Sequence, residues 1–319
     1  MTDTTPTTEV KPRATRDAFG ETLERLGGDE PRLIVMDADL SGSTRSERFA
    51  KAYPERFFEM GIQEANMIST AAGLALSGKV VFCCSFSAFV TSRFDQIKVS
   101  VAYNDANVRI VGTHAGSGVG PDGYTQMALE DVAMLRSLPN MAVFQPADDV
   151  EATAIVEYLV REHSGPAFLR LTRQKVPRIH DPATYRFVVG VPEILREGSD
   201  LQIFTTGACV AGSIEAAMRL KGEGYAVGVA NVASLAPLDF TAVSALAVST
   251  EKVLTVEDHG VVGGLGSAIC EALAETTPRS VRRVALREFG ESGSTEALYA
   301  KHHLDADGIY LEAKRYLEG

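Results

Sequence analysis

Glu59-Met60-Gly61-Ile62-Gln63-Glu64-Ala65-Asn66-Met67 sets one acid, Glu64, after a glycine turn and at the mouth of a helix. Phe57 to Met60 reads as a short strand that delivers the chain to Gly61, and Ile62 to Leu76 reads as a helix of small residues. A carboxylate in a first helical turn is favoured by the helix macrodipole, which alone explains an acid here. The neighbours make the stretch decisive. An aromatic pair, Phe86 and Phe89, follows it, and then a loop holding His114 and the turn Asp122-Gly123.

Working outward, Leu33 to Met36 is a continuous apolar run, the pattern of a strand buried on both faces of a parallel sheet. It runs into the polar loop Asp37-Ala38-Asp39-Leu40-Ser41-Gly42-Ser43-Thr44. Lys79 to Cys84, Val108 to Gly112, Met141 to Phe144 and Ala167 to Leu171 read as further strands. Helices are expected from a cap at Thr15 to about Leu26, over Arg93 to Tyr103, over Glu130 to Leu135, and from Asp148 or Asp149 to Arg161. Strands alternating with helices make an α/β parallel-sheet domain, whose ligands bind beyond the carboxyl ends of the strands. Asp39, Ser43, Glu64, Phe86, Phe89, His114, Asp122 and Arg173 all fall at or just past such ends. Each has a plain explanation: a dipole partner, a core staple, a turn, a surface ion pair. Their convergence on one rim points to a site.

The pattern weakens near Arg178 and resumes as a second α/β unit. The expected organisation is a disordered Thr-rich tail over 1–13, a first domain over 14–178, a link over 179–196 and a second domain over 197–319. The link includes a β connection over Arg186 to Val191. In the second domain, strands are expected at Leu201 to Thr205, Tyr225 to Asn231, Lys252 to Val256 and Val281 to Leu286. The loop Gly260 to Gly266 opens a helix without GxGxxG spacing, so it reads as a tight packing turn rather than a phosphate cradle. Glu257-Asp258-His259 at a strand end reads as a hydrogen-bonded structural triplet more readily than as a catalytic pair.

Composition narrows the function classes. The 319 residues, 45% hydrophobic and 23% charged, suit a soluble protein of about two domains. A net charge of -11 argues against nucleic-acid and anionic-membrane partners. The longest apolar stretch, Val80 to Val90, is too short and polar to span a bilayer, and the N-terminal tail lacks the apolar core of a signal peptide. Cys83, Cys84, Cys209 and Cys270 form no CxxC pair and no ligand spacing with the histidines. They read as buried thiols in a reducing compartment, and a cytoplasmic location is expected.

Read together, the motifs carry a resemblance. Asp39-Leu40-Ser41-x-Ser43, Gly61-Ile62-x-Glu64-x-x-Met67, Ser85-Phe86-x-x-Phe89, His114 through Asp122-Gly123-x-Thr125, Arg136 to Asn140, Pro146-Ala147-Asp148 and Thr172-Arg173-Gln174 come in the order seen in transketolases. Glu257-Asp258-His259 and Gly263-Gly264-Leu265-Gly266-Ser267 resemble the family's C-terminal domain. Nearly the whole chain after residue 14 is covered. It resembles the C-terminal half of a transketolase, a pyrimidine-binding domain followed by a C-terminal domain.

The resemblance implies thiamine diphosphate, with Glu64 as the carboxyl at the pyrimidine N1′ and Phe86 and Phe89 as the aromatic wall. Asp39 resembles a residue near the thiazolium arm. Ser43, His114 and Arg173 resemble residues that grip a substrate phosphate, and Asp122 the acid that recognises the donor's C2 hydroxyl. Gln126 departs, because transketolases usually carry His there; Gln can donate a hydrogen bond but cannot relay a proton. Ser92 departs too, where some members carry Tyr. No Gly-Asp-Gly occurs in the chain, and in the family that motif holds the Mg²⁺ and the diphosphate. The resemblance therefore implies a beta-type subunit with no metal ligand of its own, an alpha-type partner carrying the Gly-Asp-Gly site, and an α₂β₂ assembly acting on sugar phosphates. The reaction implied is transfer of a two-carbon ketol unit from a ketose phosphate to an aldose. A subunit of a 2-oxo acid decarboxylating thiamine enzyme (deoxyxylulose-phosphate synthase-like or 2-oxo acid dehydrogenase beta-like) and a non-catalytic regulatory subunit are the alternatives.

Overall fold

Two mostly parallel sheets organise the chain in the computed structural model, which describes residues 10–319. The first has seven strands in the order β10-β5-β6-β4-β3-β1-β2. These are β1 Leu33–Asp37, β2 Phe57–Glu59, β3 Val80–Phe86, β4 Val108–Thr113, β5 Ala142–Phe144, β6 Ala167–Arg170 and β10 Ser234–Ala236. β1, β3, β4 and β6 are buried along their whole lengths, as continuous apolar runs predict. Cys83 and Cys84 point to opposite faces of β3 and enter two different cores, one on each side of the sheet.

The second sheet has the order β12-β11-β8-β9-β7. Its strands are β7 Glu193–Arg196, β8 Leu201–Thr205, β9 Val227–Asn231, β11 Lys252–Gly260 and β12 Ser280–Leu286. Only β7 is antiparallel in it, and β10 is the antiparallel edge of the first sheet.

Several elements differ from the sequence expectations. Thr15 does not cap the first helix, Thr15–Leu26. It is the first helical residue, and its hydroxyl accepts a hydrogen bond from Thr172 N at 2.8 Å, a tertiary bond that wins over local capping. The helix expected over Arg93 to Tyr103 splits into Phe94–Gln96 and a wider π-turn, Ile97–Ala102. The β-branched Ile97, Val99 and Val101 crowd tight winding there. Arg186 to Val191 forms no strand. The stretch 179–196 ends instead in β7, bonded to β9, and so belongs partly to the second sheet. β10 carries no sequence signal, yet it leaves the second unit to pair with β5 through Ser234↔Phe144 and Ala236↔Val143. The first nine residues of the expected tail lie outside the described residues. Arg13 is held by a backbone pairing with Val176.

A buried polar knot joins the domains. Asp148 caps helix Asp149–Arg161 by accepting from Glu151 N at 2.9 Å, and its other oxygen accepts from Ile179 N and His180 N at 2.7 and 2.8 Å. His180 lies 3.0 Å from Asp148 and 2.7 Å from Glu193 of β7. Glu151 takes Tyr185 OH and the Asn231 amide of β9. Burial alone would lower the His180 pKa; the carboxylates of Asp148, Glu193 and Glu151 overcome that and push it up to about 11. A histidine raised in this way contributes its full stability below its unfolded value and loses it only as pH climbs toward 11, so it acts as a fixed cation at neutral pH. His180→Ala removes the cation that sits between the fully buried Asp148 and the partly exposed Glu193. It should cost about 3–5 kcal/mol in urea unfolding at pH 7; a loss under about 1 kcal/mol, the value of a solvated surface pair, would contradict the buried-cation reading.

Candidate active site at the strand ends

The polar loop after β1 is tied to Asp37, the strand's last residue. Asp37 is fully buried and accepts from Leu40 N at 2.7 Å, Thr44 Oγ1 at 2.7 Å and Ser46 Oγ at 2.8 Å. Burial pushes its pKa up to about 6; these three bonds pull the other way, and Glu59 adds to the rise. Glu59 at the end of β2 accepts from Asp39 N at 2.7 Å and Gly61 N at 3.1 Å. Gly61 takes φ 68° and turns the chain back, so that Glu64 opens helix Glu64–Leu76. Asp39 is exposed, in a left-handed conformation at φ 62°.

Glu64 is 5% exposed. Among the described residues none donates a hydrogen bond to its carboxylate and no cation pairs with it. The residue is largely covered while its carboxylate oxygens are not sealed from solvent, so the acid keeps its acceptor positions open at the mouth of the helix.

Phe86 ends β3, and Phe89 lies one helical turn on. Their rings stack with centroids 5.6 Å apart and planes 16° from parallel. His114 lies on Phe86 at 3.7 Å and 22°, and it is left-handed at φ 57° just past β4. Its tautomer follows from its partners. Arg16 can only donate, so His114 Nε2, 3.0 Å from Arg16 NH1, accepts. His114 Nδ1 then carries the proton and donates to Thr113 Oγ1 at 2.9 Å. Burial, with Arg16, Arg173 and Arg45 around it, pushes the His114 pKa down to about 3, so the ring is neutral at pH 7.

The rim is therefore cationic. Arg16 also donates to Ser43 O at 2.8 Å, and its pKa is lowered by burial and by Arg45 and Arg173. Arg45 is anchored by Asp17 at 2.7 Å. Arg173 donates to Val119 O at 2.6 Å and lies 3.6 Å from Asp122. Arg16 joins His114 to the Ser43 carbonyl, and Asp122 lies beside Arg173. Gln126 is half-buried and donates to its neighbour Thr125 at 3.2 Å. Sequence reading missed Asp37, Arg16 and Arg45. One signal for Arg16 was present: a cation in the first turn of a helix opposes the macrodipole and calls for another explanation.

The second domain offers no competing anion site at its glycine-rich loop. Glu257 accepts from Leu265 N and Gly266 N at 2.7 and 2.8 Å, so the chain's own carboxylate fills the amides at the start of helix Leu265–Glu275.

A cationic rim, an acid without a protein partner and an aromatic stack thus lie at the strand ends of the first domain of a two-domain α/β scaffold. Residues 11–178 match the family model "Transketolase, pyrimidine binding domain", and residues 190–309 match "Transketolase, C-terminal domain". A putative transketolase C-terminal section from Methanocaldococcus jannaschii is 39% identical over 95% of this chain and 95% of its own length. The 6-deoxy-6-sulfo-D-fructose transketolase subunit SqwH of a Clostridium species is 39% identical over 95% of this chain and 94% of its own. A solved split gene transketolase, described as an inactive beta4 tetramer, superposes with a TM-score of 0.88 at 41% identity, over 96% of this chain and 98% of that one. The chain belongs to the transketolase family. It is the C-terminal half of the family's architecture, a beta-type subunit of a split transketolase.

An aspartate with a raised pKa stabilises the fold below its unfolded value, and that contribution is lost as pH rises through about 6. Asp37→Asn removes the ionisation. The stability of the variant relative to wild type should therefore climb between pH 4 and pH 7, by up to about 3 kcal/mol. Parallel denaturation curves at the two pH values check this; a difference that stays flat with pH would contradict the burial account of Asp37.

Proposed function

We propose that this chain supplies the pyrimidine side of a thiamine-diphosphate site and the substrate-anion grip of a transketolase. An alpha-type partner would supply the Gly-Asp-Gly diphosphate site with its Mg²⁺, in an α₂β₂ assembly in the cytoplasm. The domain division is 14–178 for the pyrimidine-binding part and 197–319 for the C-terminal part. The reaction proposed is two-carbon ketol transfer from a ketose phosphate, or a similarly anionic ketose, to an aldose.

The observation that carries the reading is the Glu64 carboxylate, without a protein donor at the start of helix Glu64–Leu76, on the same strand-end rim as the stacked Phe86 and Phe89. The donor set fits the cofactor's pyrimidine: a carboxyl for a ring nitrogen, and Phe86 with Phe89 for its flat face. When bound, thiamine diphosphate supplies a carbon nucleophile that holds the transferred unit. The chain's own residues do the rest. Glu64 holds a proton at the pyrimidine N1′. Phe86 and Phe89 exclude water from one face of the ring. Arg16, Arg173, Ser43 and His114 orient the substrate's anionic end; a neutral His114 with its proton on Nδ1 leaves the charge to the arginines. Asp39 would serve the cofactor's thiazolium side, Asp122 would accept from the donor's C2 hydroxyl, and Gln126 would donate to its keto oxygen. A rim with three arginines favours phosphorylated or sulfonated sugars over small 2-oxo acids, and so favours ketol transfer over decarboxylation.

Glu64→Gln should keep the fold but lose at least about 100-fold in turnover when assembled with the partner chain at saturating cofactor. Fructose 6-phosphate and its 6-deoxy-6-sulfo analogue serve as donors in that assay. Turnover near wild type with either donor would sink the assignment of Glu64.

A further inference from the structure

Asp258 lies on β11 of the second domain, yet its carboxylate faces the first domain's loop between His114 and Asp122. Asp258 Oδ1 accepts from Ser117 N at 2.8 Å and Ser117 Oγ at 2.7 Å, and Oδ2 accepts from Gly118 N at 3.1 Å. It is 3% exposed. The fit is close enough to exclude a side chain. A Cβ at Gly116, which has φ +80°, would sit 2.3 Å from Asp258 Oδ2.

The same carboxylate reaches the other side of the anion grip. Tyr299 OH donates to Asp258 Oδ2 at 2.8 Å, and Gln174 Nε2 donates to Tyr299 OH at 2.8 Å. Burial, with Asp258 beside it, raises the Tyr299 pKa well above its ordinary value, so the phenol stays a donor. Gln174 follows Arg173 directly and packs against Gly118, where a Cβ would lie 2.1 Å from Gln174 Nε2. Thr295, from the same helix as Tyr299, Thr295–Lys301, donates to Gly118 O at 3.0 Å. Arg173 in turn donates to Val119 O. Both walls of the rim, the His114–Asp122 loop and the Arg173 segment, are thus held from one carboxylate on the neighbouring domain.

We propose that Asp258 is a positioning residue for substrate binding, the point through which the C-terminal domain sets the geometry of His114, Asp122 and Arg173. It touches neither substrate nor cofactor. The loop it holds is rich in left-handed backbone: His114, Gly116, Gly120 and Gly123 all have φ between 57° and 81°. Such a loop has many alternative conformations available, and the anion selects the one in which successive amides converge. The second domain thus meets the rim loop through Thr295 and through Asp258, and Asp258 is the contact that Ser117, Gly118 and Tyr299 share. The kinetic consequence rests on the function proposed above; the clamp itself does not.

Asp258→Asn keeps the shape and removes the charge, leaving one amide facing a donor. Ser117→Ala removes a single bond from the loop side and keeps the clamp testable if the first variant folds poorly. Hydrogen exchange on the full chain should show the Ser117 and Gly118 amides opening about tenfold faster or more in Asp258→Asn, and less so in Ser117→Ala. With the partner chain and cofactor, both variants should raise the KM for fructose 6-phosphate, by about tenfold in Asp258→Asn, while the half-saturating cofactor concentration stays within about twofold of wild type. Unchanged loop exchange overturns the clamp. So does a donor KM within about twofold of wild type, or a cofactor half-saturation that rises in step with KM. A wild-type pair that transfers nothing, while Asp258→Asn still frees the loop amides, defeats the functional reading and leaves the clamp standing.

Discussion

Arg170 is the last residue of β6, 2% exposed, and its guanidinium sits in the seam between the two sheets. It donates to Asp131 Oδ2 at 2.8 Å, to Ala128 O at 2.9 Å and to Asp258 O at 3.1 Å. Burial would raise the Asp131 pKa; Arg170, with His259 and Ser87, more than offsets that and holds it below the ordinary value. Ser87 Oγ closes on the same carboxylate at 2.6 Å, next to Phe86. One buried cation therefore joins the end of β3, the helix Asp131–Arg136, the loop before it and β11 of the second domain. Breaking such a pair from one side leaves an uncompensated charge in a dry seam, so the domains are set in one relative arrangement. The aromatic stack and the loop carrying His114 and Asp122 inherit that arrangement.

The charges on the rim are organised differently from those in the seam. In the seam each ion is matched: Arg170 by Asp131, His180 by Asp148 and Glu193, Arg178 by Asp149. On the rim, Arg16, Arg45 and Arg173 surround one neutral histidine and share only Asp17 and Asp122 as described acidic partners. The three arginines gather there although the chain's net charge is -11. Glu64 is the converse, an acid without a protein partner at the start of the helix that follows β2.

Much of this was legible in the sequence because it follows from periodicity. β1, β3, β4 and β6 are continuous apolar runs, and a parallel sheet places whatever follows each of them on one rim. That is why the sequence alone groups Ser43, Phe86, His114, Asp122 and Arg173. The hidden parts depend on long-range pairing. β10 is three residues with no pattern of their own, and only the edge of β5 makes them a strand. Asp37 reads as a strand terminus until Thr44 and Ser46 turn back onto it. Glu257-Asp258-His259 reads as a structural triplet, and it is one; what sequence could not give is that Asp258 reaches across a domain boundary to a loop far upstream. The helix expected over Arg93 to Tyr103 shows the reverse case, a helical pattern whose β-branched residues unwound it locally.

The central claim is that the chain holds half of a cofactor site, with Glu64 and the aromatic stack awaiting a diphosphate-binding partner. Titration calorimetry of thiamine diphosphate with Mg²⁺ tests it most directly, on this chain alone and then with an alpha-type chain carrying Gly-Asp-Gly. The account predicts no saturable heat from the chain alone and binding of one cofactor per alpha–beta pair in the mixture. Tight saturable binding to the isolated chain would contradict it.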